Sequence, residues 1–252
     1  MIGPTLKTNI EYYSLESPGR SDYWGKMAAP RSRCAVLMGL VSERPARSLA
    51  DLGCGDGRFL GMVRAEYPSL SLCGVDSSAA QISSNRLERP EIAWHVADLG
   101  GPVAWPPGIR RHCDVVIASE IIEHVEDPEM FLRNALALAR PGAGRLLLST
   151  QSGRIGETER SVGHCRHFSK EEMIGLLSRT GWRPDRVWNA GFPFHDLSKW
   201  AANLAPHYAM QEFGGRSYGL FQNAICGALR CAFRFNSKRY GSQLFAAAGA
   251  PV

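Results

Sequence analysis

The segment that carries the most chemistry is a glycine-rich stretch, LADLGCGDG, at residues 49–57. It ends an apolar run and precedes a periodic apolar segment, which predicts a strand, a tight turn and then a helix. Glycines at Gly53, Gly55 and Gly57 permit left-handed backbone and let a ligand lie against bare main chain. Main-chain N–H groups and the positive end of the following helix would face that ligand. The stretch therefore predicts a binding loop.

The charges around this loop narrow the choice of ligand. A dinucleotide-binding loop of the G-x-G-x-x-G type would need glycine at position 58, where Arg58 stands. Two acids, Asp51 and Asp56, lie in the loop and would repel a pyrophosphate. A ligand that has a cationic amino group and no phosphate suits the loop better.

Further acids follow the next two strand-like segments. Asp76, with Ser77 after it, ends one of them, and Asp98 with Leu99 ends the other. A carboxylate at position 76 can accept hydrogen bonds from both hydroxyls of a ribose, and the side chain at position 98 can accept one from an adenine amino group. Each acid taken alone could equally cap a helix or a turn. Together they predict a crevice at one edge of a parallel sheet.

Strand-like and helix-like segments alternate between about residues 47 and 190. Strands are predicted at residues 48–52, 70–75, 92–96, 114–118, 145–150 and 243–248. Helices are predicted at residues 31–41, 58–67, 79–86, 128–140, 197–204 and 220–233. Alternation with short connections predicts a parallel sheet covered by helices on both faces, and nearly continuous apolar runs are typical of strands buried on both sides.

The ordered combination of these features resembles the class I S-adenosylmethionine-dependent methyltransferases, of the small-molecule type. The matching pieces are Asp51-x-Gly53-x-Gly55-x-Gly57, Asp76, Asp98, the run DVVIASEIIEHVEDP at residues 114–128, and an apolar helix, a Pro-Gly turn and a strand at residues 136–149. The resemblance implies an α/β fold: a Rossmann-like, doubly wound, seven-stranded and mostly parallel sheet with an antiparallel last strand. Residues 243–248 are the candidate for that strand.

The resemblance also divides the chain into three parts of one methyltransferase domain spanning residues 1–252. Residues 1–46 form an N-terminal helical cap, residues 47–190 a cofactor-binding core, and residues 191–252 a C-terminal helical insert with the last strand. Aromatic side chains between positions 192 and 221 suggest either a lid over a partly apolar acceptor or the core of a small subdomain. The resemblance assigns eight residues to the cofactor S-adenosylmethionine: Asp51, Gly53 and Gly55 at its methionine end, Asp76 and Ser77 at the ribose, Asp98 and Leu99 at the adenine, and Ser119 near the sulfonium.

Two histidines are the predicted catalytic residues. His124 follows the fourth predicted strand, and His164 lies after the fifth, before a Ser169–Glu172 capping box that fixes the start of a helix. Methyl transfer is an in-line displacement that depends mainly on alignment, and a base beside a hydroxyl acceptor adds roughly 10²–10⁴-fold. Histidine suits that task near neutral pH. Both residues could instead be loop or capping histidines, and His167 and His195 are weaker candidates.

A metal-dependent alternative uses neighbouring residues. Glu120, Glu123 and His124 are spaced i, i+3 and i+4, which would place them on one helical turn. With His164 they resemble the divalent-metal set of small-RNA 3′-end 2′-O-methyltransferases and of some ubiquinone-biosynthesis O-methyltransferases. Carboxylates and imidazoles suit Mg²⁺, Mn²⁺ or Fe²⁺, which would lower the pKa of acceptor hydroxyls. A metal-free Glu-His helix start is the reading we prefer, so no metal ligand is predicted.

Composition excludes several classes of protein. The chain has 252 residues, of which 44% are hydrophobic and 21% charged, so it is predicted to be globular rather than disordered. The net charge of +5 permits an anionic partner, but no run of five basic residues marks a nucleic-acid arm. Seven cysteines without a C-x-x-C pair argue against a disulfide framework or a zinc site and favour a reducing, cytoplasmic compartment. Neither a signal peptide nor a membrane span is expected.

The leading prediction is therefore a biosynthetic enzyme that O-methylates a small molecule such as a secondary metabolite, a quinone or a sugar. A homo-oligomer is compatible with this prediction, and nucleic acid is not the expected partner. Two alternatives stay open. One is an RNA 3′-end 2′-O-methyltransferase that uses a divalent metal, and the other is a protein that binds the cofactor without transferring its methyl group.

Overall fold

The computed structural model describes residues 22–214 and 217–252 and has a seven-stranded sheet at its centre. The strands are β1 (Ser48–Leu52), β2 (Ser71–Asp76), β3 (Ala93–Val96), β4 (Val115–Ser119), β5 (Arg145–Gln151), β6 (Arg183–Ala190) and β7 (Gln243–Gly249). Their order is β3-β2-β1-β4-β5-β7-β6, and β7 pairs antiparallel with both of its neighbours while β1 to β5 pair in parallel. The predicted Rossmann-like fold with an antiparallel last strand is confirmed.

Ten helices are described around the sheet. They are α1 (Asp22–Lys26), α2 (Ala28–Ser42), α3 (Arg58–Glu66), α4 (Ala79–Glu88), α5 (Pro128–Leu138), α6 (Glu157–Ser161), α7 (Lys170–Arg179), α8 (Phe194–Leu204), α9 (Pro206–Phe213) and α10 (Leu220–Phe233). Among the described residues, no helix is both long and apolar enough to cross a membrane. The first 21 residues of the predicted N-terminal cap lie outside the described part of the chain.

The core consists of two layers, one on each face of the sheet. Alternation along β4 shows the division, because Val116 and Ala118 pack in one layer while Val115 and Ile117 pack in the other. Helices α5 and α7 cover the first face, and helices α2, α3 and α4 cover the second. Burial on both faces explains why these strands read as continuous apolar runs.

The topology places a crevice between β1 and β4. The chain runs from β1 outward through β2 to β3 and then returns to β4 on the other side of β1. Connections on the two sides of this switch point leave the sheet in opposite directions, and ligands of open α/β sheets bind in the gap at the carboxyl ends of the strands. The glycine-rich loop of residues 53–57 follows β1 at that gap.

Several elements differ from the sequence-based expectation. Strand β6 was not predicted, because its sequence RPDRVWNA includes Pro184 and three charged residues and only Ala190 is buried. Its position at the edge of the sheet, with a register shift between Pro184 and Arg186, explains how a strand of that composition is tolerated. The short helices α6 and α9 were also not predicted.

The aromatic cluster of the C-terminal segment is mostly turned outward. Phe192, Trp200, Tyr208 and Phe221 are each more than half exposed, whereas Tyr218 is buried. These four exposed residues therefore do not form a buried subdomain core, which leaves the lid as the predicted role of the cluster.

Candidate functional site

The loop between β1 and α3 is held open by its glycines. Gly53, Gly55 and Gly57 have φ values of 71°, 49° and 65°, in the left-handed region where a side chain is disfavoured. A Cβ at Gly57 would lie 2.5 Å from the Trp94 ring, but a Cβ at Gly55 would meet no atom within 4 Å. Gly57 is thus a packing requirement, and Gly55 borders open space as a ligand-facing glycine does.

Asp76 fixes the shape of this loop. One of its carboxylate oxygens accepts the Gly55 N–H at 2.9 Å and the other accepts the Ser78 N–H at 2.9 Å. Burial raises the pKa of Asp76, and hydrogen bonds from the main-chain N–H groups of Ser78, Gly55 and Ser77 oppose that rise. Because each carboxylate oxygen has a further lone pair, both can still accept a hydrogen bond from a ligand hydroxyl.

Asp51 is a buried acid beneath the same loop. It lies on β1 and is 4% exposed. Burial raises the pKa of Asp51 to about 8, and the neighbouring carboxylates Asp76 and Asp56 contribute to the rise. Most Asp51 side chains are therefore protonated at neutral pH until a cation approaches. An ammonium group is the natural complement of this position.

The other predicted cofactor residues end or follow strands β2, β3 and β4 and differ in their exposure. Ser77 and Asp98 are exposed, and one Asp98 carboxylate oxygen accepts the Gly100 N–H at 2.9 Å. The side chain of Leu99 is 5% exposed and packs in the core. Ser119 ends β4, where its hydroxyl oxygen lies 2.9 Å from that of Ser149.

Three histidines form a second cluster, beside the end of β5. The rings of His124 and His164 meet edge to face with centroids 4.7 Å apart, and those of His164 and His167 with centroids 5.2 Å apart. The structure thus brings the two predicted catalytic histidines together and adds His167. His195 does not share these contacts, since its ring nitrogen lies 3.3 Å from both Asp196 and Ser242 and its ring packs against Phe233.

The hydrogen bonds of this cluster assign its protons. His167 Nδ1 lies 3.2 Å from the Gly153 carbonyl oxygen, which can only accept, so Nδ1 carries the proton and His167 Nε2 carries a lone pair. His164 Nδ1 lies 3.0 Å from that Nε2 and must be the donor. The lone pair of His164 is therefore on Nε2. By the same argument His124 Nδ1 donates to the Gly163 carbonyl at 3.3 Å.

All three imidazoles are neutral at physiological pH. Burial lowers the pKa of His124 and of His167, and it lowers the pKa of His164 to about 2, with the other two histidines adding to that shift. The positive charge of Lys199 also lowers the pKa of both His164 and His167.

Two glutamates border the histidines and have different hydrogen-bond partners. Glu123 is fully buried, and its carboxylate oxygen Oε2 accepts a hydrogen bond from the Thr150 hydroxyl, with the two oxygens 2.8 Å apart. Burial raises the pKa of Glu123 well above its usual value. Glu120 accepts from the Gln151 side-chain amide at 2.7 Å and lies 3.6 Å from an Arg33 guanidinium nitrogen. Both acids feel the same charges, since Glu120 raises the pKa of Glu123 and the Arg33 guanidinium lowers it.

The prediction that Glu120, Glu123 and His124 share one helical turn is wrong. Glu120 has a left-handed φ of 52°, and residues 121–124 form a turn closed by a hydrogen bond from the His124 N–H to the Ile121 carbonyl. The left-handed φ of Glu120 breaks the helical turn, although the Glu120 carboxylate still lies close enough to raise the pKa of Glu123. Glu123, His124 and His164 nevertheless converge, with one ligand atom of each within 4.8 Å of those of the others.

Sequence reasoning missed several residues of this region. Arg33 of α2 is 5% exposed and reaches Glu120, and Lys199 of α8 lies 3.3 Å from Glu159 of α6. Gln151 ends β5 beside Glu120. Each contact joins elements that are distant in the chain, so no local pattern signals it.

The fold and the crevice define a class of protein. A strand, a glycine-rich loop and a helix at the switch point, acids at the ends of β1 and β2, and an antiparallel β7 are the features of class I S-adenosylmethionine-dependent methyltransferases. Residues 23–187 match the family profile described as "Methyltransferase domain", and the chain belongs to this family. S-adenosylmethionine is the cofactor of the family, and Asp51, Gly55 and Asp76 fit it: a buried acid, an uncovered glycine and a carboxylate with lone pairs to spare.

Individual proteins and solved structures are similar to this chain. The trans-aconitate 2-methyltransferase of Azoarcus sp. is 33% identical over 118 residues, which are 46% of this chain and 45% of that protein. This chain therefore matches less than half the length of that relative. Among solved structures, the [4+2]-cyclase SpnF superposes with a TM-score of 0.65 at 16% identity, covering 100% of this chain and 99% of that one. Phosphoethanolamine N-methyltransferase 2 of Haemonchus contortus, solved with S-adenosyl-L-methionine, has a TM-score of 0.60 at 14% identity over 98% of this chain and 58% of that chain. These structural likenesses show the fold.

Proposed function

We propose that this chain transfers the methyl group of S-adenosylmethionine to an oxygen atom of a small metabolite in the cytoplasm. The observation that carries the proposal is the pairing of two sites at one sheet edge. One is the loop crevice with Asp51 and Asp76, and the other is a buried cluster in which His164 presents an imidazole lone pair. The trans-aconitate 2-methyltransferase relatives act, by name, on a small organic molecule.

The crevice residues would hold the cofactor. Asp51 would accept the amino group, the main chain at Gly53 and Gly55 would lie along the methionine end, and Asp76 with Ser77 beside it would hold the ribose. Asp98 and Leu99 would border the adenine, and Ser119 would lie near the sulfonium. Bound S-adenosylmethionine supplies an electrophilic methyl carbon, so the protein needs chiefly to align the acceptor with it.

The histidine cluster would position the acceptor and take its proton. His167 holds His164 in one tautomer, so the lone pair of His164 is on Nε2, where it can accept a hydrogen bond. A base with a pKa of about 2 does not remove the proton of a hydroxyl before the methyl group is transferred. As the new C–O bond forms, however, the oxygen becomes a protonated ether, which is a far stronger acid than an imidazolium. His164 can therefore accept the proton late in the reaction, and His124 packs against its ring to hold it in place.

The other parts of the chain would select the acceptor. Within the proposed single domain of residues 1–252, residues 47–190 bind the cofactor, and residues 1–46 and 191–252 border the acceptor from either side. Arg33 and Lys199 come from these two flanks and both reach the region of the cluster. We therefore favour a polar acceptor. Its hydroxyl would lie beside the neutral histidines, and the rest of the molecule would lie near the charged Arg33 and Lys199.

A screen of small hydroxylated and carboxylated metabolites tests the proposal. Each candidate is incubated with the protein and S-adenosylmethionine, and mass spectrometry detects the gain of one methyl group together with S-adenosylhomocysteine. We expect a hydroxyl acceptor to be methylated, and His164→Ala to lower its turnover. Cofactor binding without product from any acceptor class would favour the reading as a binding protein that transfers no methyl group.

The convergence of Glu123, His124 and His164 favours a second candidate, a metal-dependent O-methyltransferase. One carboxylate and two imidazoles suit Mg²⁺, Mn²⁺ or Fe²⁺, and a metal there would polarise an acceptor hydroxyl. Glu120, the fourth residue of the predicted set, instead pairs with Arg33 and Gln151. Metal analysis of the purified protein before and after chelation tests this candidate, and activity that survives exhaustive chelation unchanged removes it.

An RNA-end methyltransferase is the form of this second candidate that would act on nucleic acid. It predicts that the chain binds RNA and that its affinity falls steeply as salt rises, because phosphate contacts release counterions. If the chain does not bind RNA at low salt, a metal-dependent methyltransferase that acts on a small molecule is the remaining form of this candidate.

A further inference from the structure

The net positive charge of the chain arises in its C-terminal segment, because that segment has no acidic residues. Residues 213–252 contain five Arg and Lys residues and no Asp or Glu, while the remaining 212 residues carry 24 basic and 24 acidic side chains. The whole net charge of +5 therefore arises in the last 40 residues. Four of the five basic residues, Arg230, Arg234, Lys238 and Arg239, are exposed, and none of them forms an ion pair with another described residue.

The same segment carries an exposed apolar stripe on α10. The stripe runs along one side of the helix and continues just past its end: Leu220, Phe221, Ala224, Ala228, Cys231 and Phe235. These positions recur every three or four residues, so they share one face. Leu220 is 93% exposed and Phe235 is 76% exposed. The opposite face packs inward, where Cys226 is buried and its sulfur lies 3.4 Å from that of Met27.

A second exposed apolar face lies on the neighbouring helix α8. Leu197, Trp200 and Leu204 are spaced i, i+3 and i+7 and are each more than half exposed. The other side of α8 faces the protein through Lys199 and Asn203, which contact Glu159. Helices α8 and α10 pack against each other, so their outward faces form one surface.

We propose that this surface, the exposed faces of α8 and α10 with the basic residues at the end of α10, binds an anionic lipid membrane. Apolar side chains flanked by Arg and Lys are the composition of helices that lie in a membrane interface. Arg230 and Arg234 border the α10 stripe on one side, and Lys238 and Arg239 follow its end, where they would meet acidic headgroups. The apolar stripe would enter the boundary between headgroups and acyl chains.

The charge and composition of this surface favour an anionic membrane over a second copy of the chain or a nucleic acid. A second copy of the chain would bring two basic segments face to face without acids to neutralise them. A nucleic acid would use the basic residues but not the aliphatic and small side chains that make up most of the stripe. A surface that is apolar in the middle and basic at its rim matches anionic lipid on both counts.

Co-sedimentation of the full chain with lipid vesicles tests the proposal. We expect binding to phosphatidylcholine vesicles that contain about one third phosphatidylglycerol and much weaker binding to phosphatidylcholine alone, with the difference reduced at high salt. Equal binding to both vesicle types, or no binding to either, would overturn the proposal. So would a dimer in light scattering that shows no affinity for lipid, or binding to RNA in preference to the acidic vesicles.

A matched pair of charge-reversal variants tests the surface itself. Arg234→Glu with Lys238→Glu should lower the partition coefficient onto acidic vesicles by at least about tenfold, since each basic residue near such a surface contributes about 1 kcal/mol. The control, Arg110→Glu with Lys170→Glu, makes the same change in net charge at exposed positions outside this surface. Equal loss of binding in both variants would show that only net charge matters and would contradict the proposed surface.

Trp200 gives a direct reading of insertion. Brominated acyl chains should quench tryptophan fluorescence of the bound wild-type chain, and Trp200→Phe should retain vesicle binding but lose most of that quenching. Leu220→Ser with Phe221→Ser, both exposed and therefore safe for folding, should weaken binding severalfold. Quenching that persists in Trp200→Phe would place a different surface against the membrane.

Discussion

The protonation of Asp51 gives a prediction that can be worked through quantitatively. Asp51 is buried beneath the glycine-rich loop, and its burial raises its pKa to about 8. In the proposed site the ammonium group of the cofactor lies beside this carboxyl. The cation stabilises the ionised form, so the pKa of Asp51 is lower in the complex than in the unliganded protein. Binding must then release a proton, and affinity must rise as pH rises towards 8.

The size of the effect follows from the ionised fraction before binding. With a pKa of about 8, about 1% of Asp51 is ionised at pH 6 and about 9% at pH 7. The association constant should therefore increase about ninefold over this interval, equivalent to about 1.3 kcal/mol. At pH 7 about 0.9 proton should leave the protein for each ligand bound.

Isothermal titration calorimetry with S-adenosylhomocysteine measures both quantities. Titrations at pH 6 and pH 7 give the change in affinity, and titrations at pH 7 in buffers of different ionisation enthalpy count the released protons. The amino group of the ligand stays largely protonated in this range, so the protein supplies the proton.

Two variants make the measurement specific. Asp51→Asn keeps the shape of the side chain and should remove both the pH dependence and the proton release. Asp98→Asn alters an exposed acid of the same crevice and should leave both unchanged. Affinity that does not depend on pH in the wild-type chain, or a pH dependence that survives in Asp51→Asn, would refute the assignment of Asp51 to the ammonium group.

Three further predictions concern single residues. Asp76→Ala should weaken S-adenosylhomocysteine binding by roughly 1.5–3 kcal/mol in calorimetry, the scale of hydrogen bonds to a charged group, and unchanged affinity would remove Asp76 from the site. His124→Ala and His164→Ala should lower methyl-transfer turnover without changing cofactor affinity; if both variants turn over normally, neither histidine serves the acceptor. Gly57→Ala should reduce the free energy of unfolding in urea by about 1–3 kcal/mol, because φ is 65° there and the new Cβ would meet the Trp94 ring. The control is Gly101→Ala, where a Cβ meets no atom within 4 Å. A loss of stability no larger than that of the control would contradict this prediction.

The cofactor half of the fold could be predicted because its signals are local. The glycine-rich loop, its preceding strand and the acids at positions 51 and 76 are close in sequence, and burial on both faces makes the strands apolar. The seventh strand was recognisable for the same reason, since β7 is fully buried. Edge strand β6 was not, because one side faces solvent and its composition follows no apolar pattern.

The acceptor half was less predictable because its geometry depends on backbone angles and long-range contacts. The spacing of Glu120, Glu123 and His124 suggested a helical turn, but the left-handed φ of Glu120 sends its carboxylate towards Arg33. The pairing of His164 with His167 could not be read from their spacing, since it requires the loop that brings the Gly153 carbonyl to His167.

A crystal structure of the protein with S-adenosylhomocysteine bound would test most directly whether the crevice after β1 and β2 holds the cofactor beside the histidine cluster. We expect ribose hydroxyls within about 3 Å of the Asp76 carboxylate, the amino group beside Asp51 and the sulfur facing the cluster of His164. A ligand bound elsewhere, or bound in the crevice with its ribose away from Asp76, would contradict it.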